Sequence, residues 1–240
     1  MAHQSQRDFL HTLKSSLPQF FADSKVLEIG SLDINGSIRD FYTNCDYVGI
    51  DIGEGKGVDV VCEGQKYNAP SNSFDQVISC EVMEHNPHWR QTLENMIRLC
   101  RPGGLVVMTC ASTGRPEHGT TRTTIDDSPL TNAAGWDYYK NLTAEDFSSS
   151  INLSSSFEKY YLGVSWVGYD LCFFGIKRHP HHVDASSVEI AGRAIVTMES
   201  FIRQANRAPI CIARQLFAMA FGDSGFEGAR NIRTRITSAS

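Results

Sequence analysis

The sequence has no long apolar run, no basic run and no paired cysteines. No stretch approaches the roughly 20 apolar residues that span a bilayer. The N-terminus lacks the apolar core of a signal peptide. Seven cysteines are scattered, odd in number and without any Cys-x-x-Cys. That pattern predicts buried thiols in a reducing cytoplasm rather than a disulfide framework. The formal charge is −5 and lysine and arginine do not cluster. Nucleic acid and membrane are therefore not expected partners. No Gly-x-Gly-x-x-Gly is present, so the glycines that let a pyrophosphate approach the backbone are missing. Gly53-Glu54-Gly55-Lys56-Gly57 lacks the Gly-Lys-Ser/Thr ending of a phosphate loop, and reads as a turn. No Tyr-x-x-x-Lys occurs either.

What remains is an ordinary soluble composition, 41% hydrophobic over 240 residues. That is enough for one α/β domain with a real core and a helical addition. The chain is organised around Val26-Leu27-Glu28-Ile29-Gly30-Ser31-Leu32-Asp33-Ile34-Asn35-Gly36-Ser37. It begins as a buried strand, breaks into a turn, and is predicted to enter a helix from Ser37. A strand running into a glycine-containing turn and then a helix makes a nucleotide crevice in open α/β sheets. About twenty residues on, Tyr47-Val48-Gly49-Ile50 ends in Asp51. A carboxylate there can accept both hydroxyls of a ribose.

The stretch from Glu28 resembles motif I of the class I S-adenosylmethionine-dependent methyltransferases, acidic-x-Gly-x-Gly-x-Gly. Glu28 and Gly30 match; Leu32 and Ile34 stand at the next two glycine positions, and Gly36 comes two residues late. Phe74-Asp75 to Glu84-His85 and the turn Arg101-Pro102-Gly103-Gly104 resemble later parts of the same family. The resemblance covers about residues 25–178. It implies a Rossmann-like, mostly parallel seven-stranded sheet with an antiparallel last strand and helices on both faces. It also implies S-adenosylmethionine as cofactor. Its contacts carry over to Glu28, Gly30, Ser31, Asp33 and Gly36 in the first turn, and to Asp51 and Ile52 after the second strand. Cys62 and Glu63 follow the third strand, with Glu63 set to meet the adenine. Ser79, Cys80 and Glu81 end the fourth and border the methionine part.

Around these lie the other elements. Phe9, Leu10, Leu13 and Leu17 share one helical face before Pro18. His11 on that helix either faces the cofactor or is simply solvated. Val58–Cys62, Phe74–Cys80 and Leu105–Thr109 read as strands. Asn86-Pro87 reads as the start of a helix, with Asn86 as N-cap and Trp89, Leu93, Met96, Ile97 and Cys100 as core. Thr143 caps a short helix before a hairpin of Phe157–Val164 and Leu171–Lys177. The methyltransferase domain is thus expected over residues 1–178. A helical hairpin over 186–222 follows, packed on the domain or across a homodimer, with a disordered tail. His179-Pro180-His181-His182 has no cysteine or carboxylate at ligand spacing, and no metal is predicted.

Residues 111–142 have little periodicity but hold Arg115, His118, Arg122, Trp136, Tyr138 and Tyr139. A loop this long inside a compact domain is usually a functional lid. Here it would cover the acceptor, with Arg115 and Arg122 for an anionic or hydroxylated group. Methyl transfer from a sulfonium needs orientation and water exclusion more than a nucleophile. A high-pKa acceptor also needs a base. The candidates are His118, made more basic by Glu117, Asp126 and Asp127, and His85, weakened by the start of a helix. The Asn-Pro-Pro-Tyr motif of enzymes that methylate nucleic-acid amino groups is absent. The predicted acceptor is a small molecule or sugar-like metabolite. The rival readings are an NAD(P)-dependent oxidoreductase or epimerase on a related sheet, and a non-catalytic binding module.

Overall fold

The computed structural model describes residues 4–180 and 185–237. Helix α1 (Gln4–Ser16) precedes β1 (Lys25–Ile29), β2 (Asp46–Asp51), β3 (Val60–Val61) and β4 (Phe74–Cys80). Helix α2 (Trp89–Leu99) leads into β5 (Cys100–Ala111). Short helices α3 (Pro129–Ala133), α4 (Ala144–Ser150) and α5 (Leu153–Ser156) come before β6 (Phe157–Ser165) and β7 (Asp170–Lys177). Helices α6 (Ala185–Ala205) and α7 (Pro209–Thr237) follow.

The seven strands form one sheet in the order β3-β2-β1-β4-β5-β7-β6. Pairings are parallel from β3 to β5, and β7 runs antiparallel to both β5 and β6. This is the predicted sheet, with its antiparallel strand. β1, β4 and β5 are buried almost throughout. Such near-continuous apolar strands need helices over both faces. One face is covered by α2, α4 and α5 around Leu93, Met96, Phe147 and Leu153. The other is covered by α1 and α6 around Phe9, Leu13, Met198 and Ile202. α6 therefore shares a core with α1 and the sheet.

Several expectations are corrected. No α-helix follows β1; Ile38–Phe41 form a single 3-10 turn capped by Ser37, whose Oγ accepts from Arg39 N. β3 has two residues, because Val60 and Val61 lie at an open edge, 40% and 52% exposed. Asn86 is not the N-cap of α2, which begins at Trp89 after a 3-10 turn over Met83–His85. Its Oδ1 accepts from His88 N at 2.8 Å, so it still ties the turn to the helix. Arg101–Gly104 lie within β5, where the register against β4 shifts. Thr143 caps α4 as predicted, with Asp146 closing the capping box.

The last segment differs most. Gly222 does break the helical backbone, at φ 58 and ψ −160. The chain then continues helical to Thr237 where a loose tail was expected. Asp223 accepts from Gly114 N at 2.7 Å and Phe226 packs on Tyr169. Before the break only one side of the helix meets the domain, at Cys211 and Arg214, while its other side is open. Ile210, Leu216, Met219 and Phe221 are 59–77% exposed. No described helix is long and apolar enough to cross a membrane. All seven cysteines are free, four of them buried. His179 packs beside Gly103. His181 and His182 lie outside the described residues.

Candidate functional site

A crevice of about 680 Å³ opens where β1, β2 and β4 end. The chain leaves β1 through Gly30, whose φ of 83 is costly for any residue with a Cβ. A Cβ there would also lie 2.0 Å from Val82 Cγ2, so the glycine admits Val82 as much as any ligand. Gly30 N and Ser31 N both donate to Ile50 O, at 2.8 and 3.1 Å, which straps the turn to β2. One residue on, Asp51 lines the crevice. Its Oδ2 accepts from Leu32 N at 3.0 Å and its Oδ1 from Ile52 N at 2.8 Å. Two backbone amides thus aim the carboxylate, while burial raises its pKa above the usual carboxylate value.

The structure brings together Gly30, Asp51, Ile52, Cys62, Cys80, Glu81 and His85 at this crevice. It places other predicted contacts elsewhere. Glu28 points to the opposite face of β1, where its Oε2 accepts from the Tyr47 hydroxyl at 2.8 Å. Ser31 is buried beside Gly49. Asp33 pairs with Lys56 at 2.6 Å and accepts from Gly36 N. Glu63 is held by Gln65 and Lys66, and Ser79 Oγ donates to Ile29 O. None of these six, Gly36 included, lines the crevice. His11 packs edge-on to Phe41, lining a separate surface hollow.

Sequence reasoning missed Ile29, Leu32, Ile34, Gly64, Val82 and Asn86, and the closing residues Asp127–Thr131. The apolar ones had a signal: they flank motif positions on the same turns. Gly64 is fixed by packing, since a Cβ would sit 2.8 Å from both Ile29 Cγ2 and Thr92 Cγ2.

Segment 111–142 reaches the crevice through Asp127–Thr131 and Trp136. Leu130 on α3 reaches Gly53, and Trp136 lines the crevice beside His88. Gly119, at φ 66, lets the segment press on His85; a Cβ would meet His85 Cε1 at 2.8 Å. His118 then stands edge-on to His85, with ring centroids 4.9 Å apart, and Tyr139 packs against both.

The expected rise in His118 basicity is not found. Glu117 is taken by Thr120 and Arg122, and burial lowers the His118 pKa despite the help of Pro116 O and Asp127. His85 is lowered to about 3, chiefly by burial and then by His118. Both imidazoles are neutral at pH 7. Neither arginine is placed for an acceptor. Arg122 pairs with Glu117 and Asp137 at the surface. Arg115 is buried between Glu81 and Asp170, at 3.6 and 3.4 Å. Glu81 itself has φ 55, an uncommon backbone state for a residue with a side chain.

Glu28 yields a pH signature. Burial, partly offset by the Tyr47 hydrogen bond, raises its pKa from 4.5 to about 7. A raised folded pKa means the folded state holds the proton that the unfolded chain has lost. Stability from this group is full below 4.5 and falls as pH rises to about 7. Its size is on the order of 3 kcal/mol. Glu28→Gln, which can still accept from Tyr47, should match wild type at pH 4 and exceed it at pH 8 in thermal denaturation. Parallel stability–pH curves for the two proteins would contradict this.

The crevice suits S-adenosylmethionine. Its lining carries Asp51 and Asp127 and no lysine or arginine, while Glu81 there is pushed toward its neutral form by burial. That sign of charge repels a pyrophosphate and favours a sulfonium. The fixed Asp51 carboxylate fits ribose hydroxyls, and Leu32, Ile34, Ile52 and Leu130 offer apolar walls to a purine.

Comparison with known proteins supplies the family. Residues 1–139, more than half of the chain, match the family model described as "Methyltransferase domain". No curated protein matches. Among solved structures, the 1,6-didemethyltoxoflavin-N1-methyltransferase of Burkholderia thailandensis, with 1,6-didemethyltoxoflavin and S-adenosylhomocysteine bound, is similar at 12% identity and a TM-score of 0.47. The match covers 74% of this chain and 84% of that one. Phosphoethanolamine N-methyltransferase 2 of Haemonchus contortus, in complex with S-adenosyl-L-methionine, is similar at 14% identity and a TM-score of 0.49. There the match covers 96% of this chain and 48% of that chain. By the family match, this chain belongs to the methyltransferase-domain family of class I S-adenosylmethionine-dependent enzymes.

Proposed function

We propose that the protein transfers a methyl group from S-adenosylmethionine to a small-molecule or sugar-like acceptor. The observation that carries this reading is the cover over the crevice. Asp127–Thr131 and Trp136 line the same concave crevice as Gly30, Asp51 and His85, the kind of shape in which small ligands are bound. When bound, S-adenosylmethionine supplies a methyl carbon on a positively charged sulfur.

The chain's own residues would bind, orient and dry the site. Asp51 takes the ribose hydroxyls; Gly30, Ile52, Cys62, Cys80 and Glu81 line the cofactor path. Leu130 and Trp136 exclude water. Asn86, Thr131 and His85 border the acceptor end, and His118 stands behind His85. These two histidines are the side chains that meet the acceptor's polar group in this reading. The polar lining favours a hydroxyl or amine over an aromatic carbon. The test is S-adenosylhomocysteine release with a panel of small alcohols, phenols, amines and sugars. Turnover on one of them is expected. Methylation of added RNA or protein, with none of the panel accepted, would overturn the acceptor class.

A second copy of the chain is the proposed cover for α7. Ile212, Leu216 and Met219 recur at helical spacing on one exposed face, 46–77% exposed. Two such stripes can bury each other. Leu216→Glu should convert a dimer to a monomer in light scattering after size exclusion. A monomeric wild type at high micromolar concentration would remove the proposal.

A further inference from the structure

Glu84, His85 and His118 each offer a ligand atom within 4.8 Å of the other two. We propose that these three side chains form a divalent-cation site facing the acceptor end of the crevice. The inference deepens the reading of that crevice as a methyl-transfer site. The cation class is a first-row divalent ion of the Mn²⁺, Fe²⁺ or Zn²⁺ type, which accepts imidazole and carboxylate together.

The first support is position. Glu84 and His85 are adjacent on the 3-10 turn after β4, and are 0% and 4% exposed. His118 is delivered from the cover by the close approach at Gly119. Ligands on opposite sides of one ion are about 4.2 Å apart at bond lengths of roughly 2.1 Å. A small inward rotation brings the three atoms onto one centre.

The second support is what the buried atoms lack. Glu84 Oε2 and His85 Nδ1 are buried with no hydrogen-bond partner. Leaving such groups unmatched is costly, and a cation would satisfy both.

The third is orientation from behind. His118 Nδ1 lies 3.0 Å from Pro116 O. A carbonyl only accepts, so Nδ1 carries the hydrogen and Nε2 keeps the lone pair a metal needs. Glu84 Oε1 accepts from Ala111 N at 3.1 Å, which holds the carboxylate while Oε2 stays available. The Tyr139 ring packs against both imidazoles and limits their rotation. Two imidazoles and one carboxylate leave coordination positions open. His85 lines the crevice, so an acceptor oxygen or a water can complete the shell there.

The test is calorimetric titration of the full-length, EDTA-dialysed protein with Mn²⁺, with its paramagnetic resonance signal as a second readout. Wild type should bind one equivalent saturably, and Zn²⁺ should displace it. His118→Ala and Glu84→Gln should each weaken binding by about 10²-fold or more, since even loss of an outer-shell partner costs up to that much. His118 is the less buried of the three, so its variant is informative if Glu84→Gln fails to fold. Asp51→Ala should bind Mn²⁺ as wild type does. S-adenosylhomocysteine is titrated separately: loss of that binding alone would strike the cofactor reading and leave the cation site standing. No saturable Mn²⁺ binding would overturn the site. So would one equivalent retained in His118→Ala, which would place the metal elsewhere.

Discussion

Asp51→Ala is expected to lower affinity for S-adenosylmethionine tenfold or more. The carboxylate stands at the end of β2 with both oxygens already aimed by Leu32 N and Ile52 N. Each oxygen keeps a lone pair for a ribose hydroxyl. Charge-assisted hydrogen bonds of this kind contribute about 1.5–3 kcal/mol. Alanine removes them and also releases the Leu32 amide, so the turn beyond Gly30 loses an anchor. Asp51→Asn separates the two effects. It keeps one acceptor oxygen but loses the charge, and should fall between alanine and wild type. Calorimetry with S-adenosylhomocysteine reads the result directly. An alanine variant that binds as tightly as wild type would mean the ribose lies elsewhere.

Arg115→Met is expected to destabilise the fold by about 3–5 kcal/mol, the usual cost of breaking a buried ion pair from one side. Arg115 is 12% exposed at its side chain, against 3% for Glu81 and 1% for Asp170. Its guanidinium also donates to Gly168 O at 2.5 Å. Methionine fills similar space but leaves two carboxyl groups facing each other in a low-dielectric site. Ser5 Oγ still donates to Asp170, but a hydroxyl does not replace a cation. Adding Asp170→Asn should recover part of the loss, because the pair is coupled. Urea denaturation measures both variants. A loss under about 1 kcal/mol would mean the two carboxyls are already neutral without Arg115. It would also show the cover to be anchored mainly by Asp223 and Phe226.

The strands were legible because short runs of apolar residues end at turn residues. β2 ends at the predicted Asp51, and β4 spans the predicted Phe74–Cys80. The hairpin was legible from two β-rich runs around a glycine linker. Motif spacing pointed to Asp51 and Gly30, and both line the crevice at strand ends, where open α/β sheets commonly hold ligands. Glu28 shows how a motif overreaches. Strand side chains alternate, so Glu28 had to face away from Leu27 and Ile29, and Ile29 is the one in the crevice. Charge was the poorest guide. Arg115 reads in sequence as a cation for an anionic or hydroxylated acceptor, because its partners Glu81 and Asp170 are far away along the chain. The approach of His118 to His85 depends on Gly119, whose role no local pattern reveals. The apolar face of α7 was visible, but periodicity states only that a face is apolar, not what covers it.

The central claim is that this crevice holds S-adenosylmethionine. Thermal denaturation of the full chain with S-adenosylmethionine, S-adenosylhomocysteine, NAD or NADP tests it most directly. A ligand at 100 times its Kd adds about 2.7 kcal/mol to the folded state. The account predicts a rise of several degrees in Tm with either S-adenosyl compound, lost in Asp51→Ala, and no shift with either dinucleotide. A shift with NAD or NADP and none with the S-adenosyl compounds would contradict it.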